Sequence, residues 1–384
     1  MFKFVARPLL LIIPVMIGFT TSSQSQQSVQ THDTQKASVK VEKVASGIDT
    51  PWAMAMLPDG KLLVTERDGK MLLVDPANAG RKTEVSGLPR VKAAGQGGLL
   101  DVVLDPDFAA NRTLYLTYSD PDSRGNAGTA IASARFEESA KPSLKDVKVL
   151  FSMENKNRSG FHFGSRIVPD GKGNLFFTIG DRGTEERAQD PFDAAGSVLR
   201  IRTDGSIPED NPYADGKDAL PQIWSIGHRN PQGATLNDAT GELWTLAHGA
   251  RGGDEINIPQ AGRNYGWPVI SYGTHYSGGK IGIGNSGPGM EQPIYFWDPS
   301  IAPSGFDFYQ GDLIPQWKGD LFAGALKFET LVRLEVQGNR IVHEERLFEE
   351  DYGRIRDVRF FPDGALWFLT DDSDGAIYRV TSAE

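Results

Sequence analysis

A strand–turn–strand phrase recurs six times along the chain, and this repeat constrains the fold more than any other feature of the sequence. Each copy has a turn, then an apolar β-rich strand, then a second loop. The copies are "LPDGKLLVTERDGKMLLV" from Leu57, "DPDFAANRTLYLTYSD" from Asp105, "VPDGKGNLFFTIGDRG" from Val168, "LNDATGELWTLAHG" from Leu236, "IPQWKGDLFAGALKFETLVRLEV" from Ile314 and "FPDGALWFLTDDSDGAIYRV" from Phe361. Radial repetition of such units limits exposed sheet edges. The sequence therefore predicts an all-β fold, a six-bladed β-propeller with four-stranded antiparallel blades; an irregular pair of β-sandwiches is the alternative.

The two ends of the repeat region predict how the ring closes. The strand "AIYRV" lies just before the C-terminus, and "VKVEKVA" opens the region at residues 39–45. We expect these two strands to pair. Each unit has roughly 57 residues, more than the ~40–50 of a compact blade, so long loops are expected, and binding residues collect in such loops.

The N-terminal residues predict export. Two positive charges, Lys3 and Arg7, precede an apolar run at residues 9–19, and small and polar residues follow it. This order is typical of a secretory signal peptide. The run is shorter than the ~20 apolar residues of a membrane span, although an uncleaved anchor is the alternative. We expect a signal peptide at residues 1–25, a disordered lead-in at 26–38 and the propeller domain at 39–384. The mature protein would be periplasmic or secreted, without a stable membrane span.

Composition excludes several classes of function. The chain contains no cysteine, which excludes thiol catalysis, iron–sulfur clusters and Cys-based zinc sites. Its formal net charge is −10. Because nucleic-acid binding needs a basic face, we expect no nucleic-acid partner.

Side chains with useful chemistry stand in loops at the ends of the repeated strands. Taken singly, a strand-end Arg is ordinarily a solvated or paired charge, and one His among apolar residues is ordinarily structural. The candidates are Gln96, His162, Asp181, Arg229, Asn230, residues 249–255, Lys327, Arg354 and Arg356. Loops of the same kind converge at one end of a propeller axis. Four cations gathered there predict an anionic small cofactor or substrate, held by guanidinium contacts.

The stretch "FHFGSRIVPDGKGNLFFTIGD", residues 161–181, predicts a strand pair with a turn at Pro169-Asp170-Gly171. A hairpin places the start of its first strand beside the end of its second strand. His162 and Asp181 are therefore expected at the same mouth, as a general base and the carboxylate that orients it. The phenylalanines beside them are expected to pack between blades.

Longer phrases resemble the soluble PQQ-dependent glucose/sorbosone dehydrogenase family, and most of all its periplasmic aldose sugar dehydrogenases. The phrases are "AGQGGLLDVVLDPDF", "SIGHRNPQG", "DEINIPQAGRNYGWP", "SIAPSGFDFY", "LFAGALK" and "RIRDVRFFPDG". The resemblance runs from Val41 to Val380, nearly all of the expected mature chain. It implies a six-bladed propeller that uses pyrroloquinoline quinone (PQQ) and Ca²⁺ to oxidise aldoses at the anomeric carbon to lactones, by proton abstraction and hydride transfer to the quinone.

The resemblance also implies roles for individual residues. His162 matches the general base, Asp181 the carboxylate that fixes its tautomer, and Arg229 a cation that stabilises charge developing on the quinone oxygen. The residues that match quinone contacts are Gln96, Arg229, Asn230, Lys327, Arg354 and Arg356.

Two calcium ions are implied by the same resemblance. The backbone carbonyls of Gly249 and Ala250 match ligands of the cofactor-bound ion, and those of Glu255 and Tyr265 match ligands of a second, structural ion. Carbonyl oxygens suit this hard cation. His275 stands where we expect an acidic or amide ligand of the structural ion, so the sequence leaves that second site open.

Loops around the expected mouth are shorter than in glucose-specific members of the family, which favours an open site and broad aldose tolerance, disaccharides included. Trp297 and Tyr276 are candidates for stacking on sugar or quinone, with packing between blades as the alternative. The sequence does not specify the electron acceptor.

Two other functions stay open at the level of sequence. A calcium-dependent lactonase on a similar propeller would hold its metal with Asp, Asn and Glu side chains at the axis, unlike the Arg/Lys-lined funnel expected here. A catalytically silent propeller that only binds partners or glycans would need no contact between His162 and Asp181. The relative position of these two side chains therefore separates a silent propeller from an enzyme.

Overall fold

The structure is a computed structural model that describes residues 1–3 and 29–384. Within these residues it contains 26 strands in six sheets, with very little helix. The strands are β1 (Val29–Asp33), β2 (Ser38–Ile48), β3 (Pro51–Met56), β4 (Leu62–Glu66), β5 (Met71–Asp75), β6 (Arg81–Glu84), β7 (Leu99–Leu104), β8 (Thr113–Pro121), β9 (Ala127–Glu137), β10 (Ser143–Ser152), β11 (Ile167–Pro169), β12 (Asn174–Ile179), β13 (Ser197–Arg202), β14 (Ile223–Ile226), β15 (Pro231–Asn237), β16 (Glu242–Ala247), β17 (Asp254–Asn257), β18 (Arg263–Asn264), β19 (Tyr295–Trp297), β20 (Pro303–Phe308), β21 (Leu321–Ala325), β22 (Leu331–Gln337), β23 (Arg340–Leu347), β24 (Ile355–Phe360), β25 (Leu366–Thr370) and β26 (Gly375–Ser382). The helical segments are α1 (Phe108–Asn111) and the 3₁₀ helices Pro76–Asn78, Glu185–Gln189 and Pro315–Trp317.

Each sheet is one blade, and the predicted six-bladed β-propeller is confirmed. Blade 1 contains β3–β6, blade 2 β7–β10, blade 3 β11–β14 with β18, blade 4 β15–β17 with β19, blade 5 β20–β23, and blade 6 β24–β26 with β2 and β1. Neighbouring strands are antiparallel, except that β18 adds to blade 3 in parallel. The first strand of each blade contacts the first strand of the next, from β3 around to β24 and back to β3. These six strands therefore surround the central axis.

The expected ring closure is present in blade 6. Strand β2 pairs with β26, and Val41 lies opposite Val380. The N-terminal and C-terminal segments of the described chain thus share one sheet, which removes two exposed edges from the ring.

The disordered lead-in predicted at residues 26–38 is wrong from Val29 onward. Strand β1 pairs with β2, and the backbone N–H of Gln35 donates to Glu345 Oε1 at 2.6 Å. The segment's Ser-, Gln- and Thr-rich composition suggested disorder. The exposed edge of strand β2 supplies backbone hydrogen-bond partners that composition does not reveal. The rest of the predicted lead-in and residues 4–25 of the predicted signal peptide lie outside the described residues. In the described part of the chain, no helix has the length and apolar character needed to cross a bilayer.

The core lies between neighbouring blades. Leu63 of blade 1 packs in one cluster with Leu116 of blade 2, and Leu246 of blade 4 packs in another with Ala323 of blade 5. Middle strands such as β4, β12, β21 and β25 are buried along their whole length. A strand covered on both faces needs a continuous apolar run rather than alternation, and this explains the repeated runs "LLVT" and "LFFTI".

Charged side chains occupy the axis. Arg166 lies between Asp101 and Asp357, at 3.0 and 2.9 Å, and all three are buried. Arg359 adds ion pairs to the same two carboxylates. This network ties the inner strands of blades 2, 3 and 6 together below the loops described next.

Strand direction brings the candidate residues to one end of the propeller. Because the first two strands of a blade are antiparallel, the start of the first lies beside the end of the second. His162 precedes β11 and Asp181 follows β12; Gln96, Asn230 and Arg354 likewise precede the first strands of blades 2, 4 and 6. We call this end of the propeller the active end.

Candidate active site

His162 lies in a loop, and the sequence expectation that it starts a strand is wrong. Strand β11 begins only at Ile167. His162 has φ +52°, a left-handed conformation uncommon for residues other than glycine. Gly164 follows with φ +62°, and a Cβ there would lie 2.8 Å from the Thr178 carbonyl oxygen. The loop therefore turns sharply and directs the imidazole toward the active end.

Arg182 holds this loop in place. Its buried guanidinium donates to the carbonyl oxygen of Ser159 at 2.8 Å and to that of Phe161, and it lies 3.4 Å from the ring centre of Phe163. Burial lowers the pKa of Arg182 to about 9. Phe163 packs in the core as expected, whereas Phe161 is exposed beside the cleft.

The expected pair of His162 and Asp181 is formed. His162 Nδ1 and Asp181 Oδ1 are 2.6 Å apart, and the side chains are 14 % and 2 % exposed. The Gly183 N–H donates to the same carboxylate oxygen at 2.7 Å, and the Trp267 indole N–H donates to Oδ2 at 2.9 Å. Burial alone would raise the pKa of Asp181, but the contacts with His162, the Gly183 N–H and the charge of Arg229 together outweigh burial and lower that pKa. The ionised carboxylate only accepts hydrogen bonds, so Nδ1 carries the proton and Nε2 is left as the basic nitrogen.

The pair lies in a cleft of about 410 Å³. Its inner surface includes Arg229, Ala250 and Trp267 beside the pair, and its rim carries the carboxylates Glu185 and Glu186 and the aromatic Tyr276. The cleft has room for a small molecule between a basic nitrogen and a cation.

Arg229 is a cation without an ionic partner in the cleft. Its guanidinium lies 5.2 Å from the ring centre of Trp267 and donates to the carbonyl oxygens of His248, at 3.3 Å, and Gly249. No carboxylate among the described residues pairs with it, and its buried Nε has no hydrogen-bond partner. Arg229 is therefore available to an anionic ligand.

The side-chain amides of Gln96 and Asn230 each bind a backbone N–H of the loop that carries His162. The Gln96 side-chain oxygen accepts the backbone N–H of His162 at 2.8 Å, and the Asn230 side-chain oxygen accepts that of Gly164 at 3.1 Å. Their amide nitrogens make no hydrogen bond to residues 29–384. Both side chains thus hold the His162 loop in place, and each keeps its NH₂ group as a donor for a ligand.

Arg354 and Arg356 are not the unpaired cations that the sequence led us to expect. Both donate at 2.9 Å to Asp371, whose side chain is 8 % exposed, and Arg356 also donates to Gln232 Oε1 at 2.8 Å. Burial raises the pKa of Asp371, but the two guanidinium groups outweigh burial and lower it to about 2. One carboxylate therefore neutralises part of the cationic cluster and fixes both arginines.

Lys327 lies next to this cluster on the same end of the propeller. Arg354 donates to the Leu326 carbonyl at 3.1 Å, and the Lys327 N–H donates to the Ile301 carbonyl. The Lys327 ammonium lies 4.8 Å from the ring centre of Phe328, is exposed, and forms no ion pair with a described residue. Only Arg229 and Lys327 of the four predicted cations are thus without a carboxylate partner within the described chain.

The loop predicted to supply calcium ligands is tightly packed and lies beside the cleft. Ala250 lines the cleft, and the Gly249 carbonyl points at Arg229. The Gly249 N–H donates to buried Asp254 at 2.8 Å, and a Cβ at Gly249 would lie 2.2 Å from the Gly252 carbonyl oxygen. Only glycine permits this close approach of the backbone.

Glu255 and Tyr265, predicted for the second ion, do not line the cleft. The Tyr265 hydroxyl donates to the Ile258 carbonyl at 2.6 Å, and its ring stacks on His228. Burial, with a contribution from Asp254, raises the pKa of Glu255 to about 7.

The two aromatic candidates, Trp297 and Tyr276, lie in different environments. Trp297 is buried, donates to Glu344 at 2.7 Å and packs edge-on against Tyr295, so it stabilises the interface between blades 4 and 5. Tyr276 is 74 % exposed and lines the cleft. Tyr276 alone of the two is placed to stack on a ligand.

The geometry disfavours both alternatives. The axial carboxylates Asp101 and Asp357 are paired with arginines, and the described residues contain no group of three or more His, Asp or Glu side chains arranged to hold a metal. The lactonase arrangement is therefore not seen in this part of the chain. A silent propeller would not require the 2.6 Å contact between His162 and Asp181.

Residues of the site that the sequence analysis did not identify include Asp371, Gln232 and Trp267, as well as Arg182, Glu185 and Glu186. Asp371 was detectable, because "FLTDD" in the sixth copy of the repeat ends its strand as "FTIGD" does in the third. Gln232 and Trp267 act through contacts with residues far away in the sequence, and nothing local marks them.

Known proteins resemble this chain in sequence and in fold. The chain matches the family described as Glucose / Sorbosone dehydrogenase over residues 48–379. It is 44% identical over 348 residues to aldose sugar dehydrogenase YliI of Escherichia coli, covering 90% of this chain and 93% of that protein. The apo-form structure of the soluble aldose sugar dehydrogenase of Escherichia coli aligns with a TM-score of 0.87 and 43% identity, covering 90% of this chain and 99% of that one. The PQQ-bound aldose sugar dehydrogenase of Streptomyces coelicolor aligns with a TM-score of 0.74 and 28% identity, covering 93% and 98%.

Proposed function

Because the chain belongs to the glucose/sorbosone dehydrogenase family, a family of PQQ-type sugar dehydrogenases, we propose that it oxidises aldoses at the anomeric carbon to lactones, with PQQ and Ca²⁺. The observation that carries this proposal is one cleft that holds the His162–Asp181 pair beside Arg229, a cation without a carboxylate partner among the described residues. An aldose oxidation needs a base for the hydroxyl proton and a site for an anionic electron acceptor, and this cleft supports both.

His162 would act as the general base. Asp181 holds the proton on Nδ1, so Nε2 accepts the proton of the anomeric hydroxyl. Asp181 then stabilises the imidazolium that forms, since it stays ionised. The left-handed backbone at His162 and the hydrogen bond from its N–H to Gln96 keep the ring in one orientation.

The residues on the active end fit a polyanionic quinone. We assign the contacts to Gln96, Arg229, Asn230, Lys327, Arg354 and Arg356. The two amides retain N–H donors, Arg229 and Lys327 lack carboxylate partners within the described chain, and Asp371 fixes the remaining two arginines. When bound, PQQ would supply the two-electron acceptor for the anomeric hydride, and Ca²⁺ would supply a Lewis acid at the quinone oxygens. Arg229 would stabilise negative charge that develops at its end of the cleft.

Backbone carbonyls are the proposed calcium ligands. The loop of Gly249 and Ala250 borders the cleft and is fixed by Asp254. Carbonyl oxygens suit a hard cation, and Ca²⁺ would take the place of the Arg229 guanidinium at the Gly249 carbonyl. We propose the carbonyls of Glu255 and Tyr265 for a second, structural ion away from the cleft.

The substrates would be aldoses of varied size. The cleft is open at its rim, and exposed Tyr276 offers a face on which a sugar ring can stack. We propose a periplasmic or secreted location on the basis of the N-terminal residues, and an electron acceptor of unspecified identity.

Purified apoprotein tests the proposal. PQQ and Ca²⁺ are added, then an aldose, with an artificial electron acceptor as the readout. We expect acceptor reduction and a rise in thermal stability on adding PQQ; absence of both would refute the proposal.

The role of His162 is tested separately. His162→Ala should lower kcat about 10²–10⁴-fold, because the base is lost, while PQQ binding measured by equilibrium dialysis stays largely intact. His343→Ala, on the outer strand β23, is the control and should keep both properties. Equal loss of turnover and PQQ binding in His162→Ala would make His162 a cofactor contact rather than the base.

A further inference from the structure

Trp267 contacts both functional halves of the cleft. Its indole N–H donates to Asp181 Oδ2 at 2.9 Å, and the guanidinium of Arg229 lies 5.2 Å from the centre of its ring. The side chain is 7 % exposed. A single residue thus connects the carboxylate behind the base with the cation of the proposed cofactor site.

The indole N–H has a specific task at Asp181. Oδ1 accepts two N–H groups, from His162 and Gly183, whereas Oδ2 accepts only the indole among the described residues. Without this donor, Oδ2 is a buried oxygen with no partner, and the carboxylate loses the contact that stops it rotating away from His162.

Trp267 is itself firmly held. Its backbone N–H donates to the Gly227 carbonyl at 2.9 Å, and its carbonyl accepts the Gln189 side-chain amide at 2.7 Å. Gln189 also bonds to Asn264. Side chains that are locked in this way can pre-arrange a catalytic group.

We propose that Trp267 is a positioning residue with two functions: its N–H aims the His162–Asp181 pair, and its ring aims Arg229. The proposal rests on the function given above for the cleft. The two functions belong to different parts of one side chain, so substitutions can separate them.

Trp267→Phe removes the N–H and keeps an aromatic face for Arg229. Loss of a hydrogen bond to a buried carboxylate should lower kcat about ten- to a hundred-fold, with KM for the sugar little changed. The Asp181 carboxylate becomes more basic without the donor and favours protonated His162. The acid limb of the pH dependence of kcat/KM should therefore move to higher pH. Trp267→Leu also removes the ring, and should in addition weaken PQQ binding.

A readout in the apoprotein makes the test independent of turnover. The proton on His162 Nδ1 should give a low-field NMR signal, assigned by its loss in His162→Ala. Trp267→Phe should shift this signal. If Trp267→Phe destabilises the fold, Trp267 can be replaced site-specifically by 3-benzothienylalanine. This residue has nearly the shape of tryptophan but carries sulfur in place of the indole N–H.

The matched control lies in blade 6. Trp367 is 2 % exposed, donates to both carboxylate oxygens of Asp363 at 3.2 Å, and has Arg379 5.8 Å from its ring centre. Trp367→Phe should leave kcat, the pH profile and the low-field signal unchanged. An unshifted signal in Trp267→Phe overturns the proposal even if the protein oxidises no sugar. Equal losses of kcat in the two Phe variants, in proportion to lost thermal stability, overturn it as well.

Discussion

Asp181→Asn is the sharpest perturbation of the proposed base, because the structure fixes how many donors this side chain must accept. Asp181 receives three N–H groups, from His162, Gly183 and Trp267. An asparagine has one carbonyl oxygen and one NH₂ group in their place. In either orientation, at least one of the three N–H groups faces an NH₂ group and loses its acceptor.

The two orientations have different consequences for the base. With the carbonyl toward Trp267, the NH₂ group donates to His162 Nδ1, which moves the ring proton to Nε2 and leaves no base in the cleft. With the carbonyl toward His162, the Trp267 N–H is left without an acceptor in a buried site, at a cost of about 1–3 kcal/mol. The first orientation removes the base and also leaves Gly183 unpartnered, and the second destabilises the site.

We expect kcat to fall about 10³–10⁴-fold, the size of effect produced when the orienting carboxylate of a Ser-His-Asp triad becomes an amide. PQQ binding should persist, because Asp181 is not among the proposed cofactor contacts. The assay is stopped-flow reduction of an artificial acceptor by the PQQ- and Ca²⁺-loaded protein.

Asp363→Asn provides the control for general loss of stability. Asp363 accepts the Trp367 indole N–H and the Ala365 N–H, and it pairs with Arg379 at 2.8 Å. This variant should lose stability and keep kcat. A kcat within ten-fold of the wild type in Asp181→Asn would refute the assignment of Asp181 as the orienting carboxylate.

Two further predictions concern charged side chains on the active end of the propeller. Asp371→Asn should lower the free energy of unfolding by about 2 kcal/mol at pH 7, because Arg354 and Arg356 lower the pKa of Asp371 to about 2 from an ordinary 3.8. That stability is present above pH 4 and is lost as pH falls toward 2, so the gap in urea unfolding between variant and wild type should close over this window; a constant gap would contradict the prediction. The second change is the double variant Glu185→Gln with Glu186→Gln, which removes two rim carboxylates that have no ion-pair partner among the described residues. It should raise kcat/KM for a uronic acid relative to glucose about five-fold at low salt, with the gain screened at high salt; an unchanged ratio would exclude these carboxylates from substrate selection.

The position of the His162–Asp181 pair could be predicted from the sequence, but the backbone conformation at His162 could not. It correctly placed His162 and Asp181 at one mouth, because antiparallel pairing alone puts the start of one strand beside the end of the next. It misplaced His162 in a strand, because the apolar neighbours conceal a left-handed loop. Backbone conformation of this kind depends on what the loop packs against, here the guanidinium of Arg182.

The cations at the active end could be predicted from the sequence, but their ion-pair partners could not. Counting Arg229, Lys327, Arg354 and Arg356 in an acidic chain correctly indicated one end of the propeller. It did not reveal that Asp371 pairs with two of them. Ion pairs form between side chains that folding brings together, and spacing along the chain carries no information about such pairs.

The sequence by itself determined the six-bladed ring, its closure by the chain ends and the adjacency of base and carboxylate, because these follow from repeated local patterns and from strand direction. The tertiary structure alone decided the contacts that tune the site. Trp267 lies 86 residues from Asp181 in the chain, yet supplies the only described donor to its second oxygen. Hydrogen bonds and charges act over a few ångströms in space, so only the folded chain shows which residues they join.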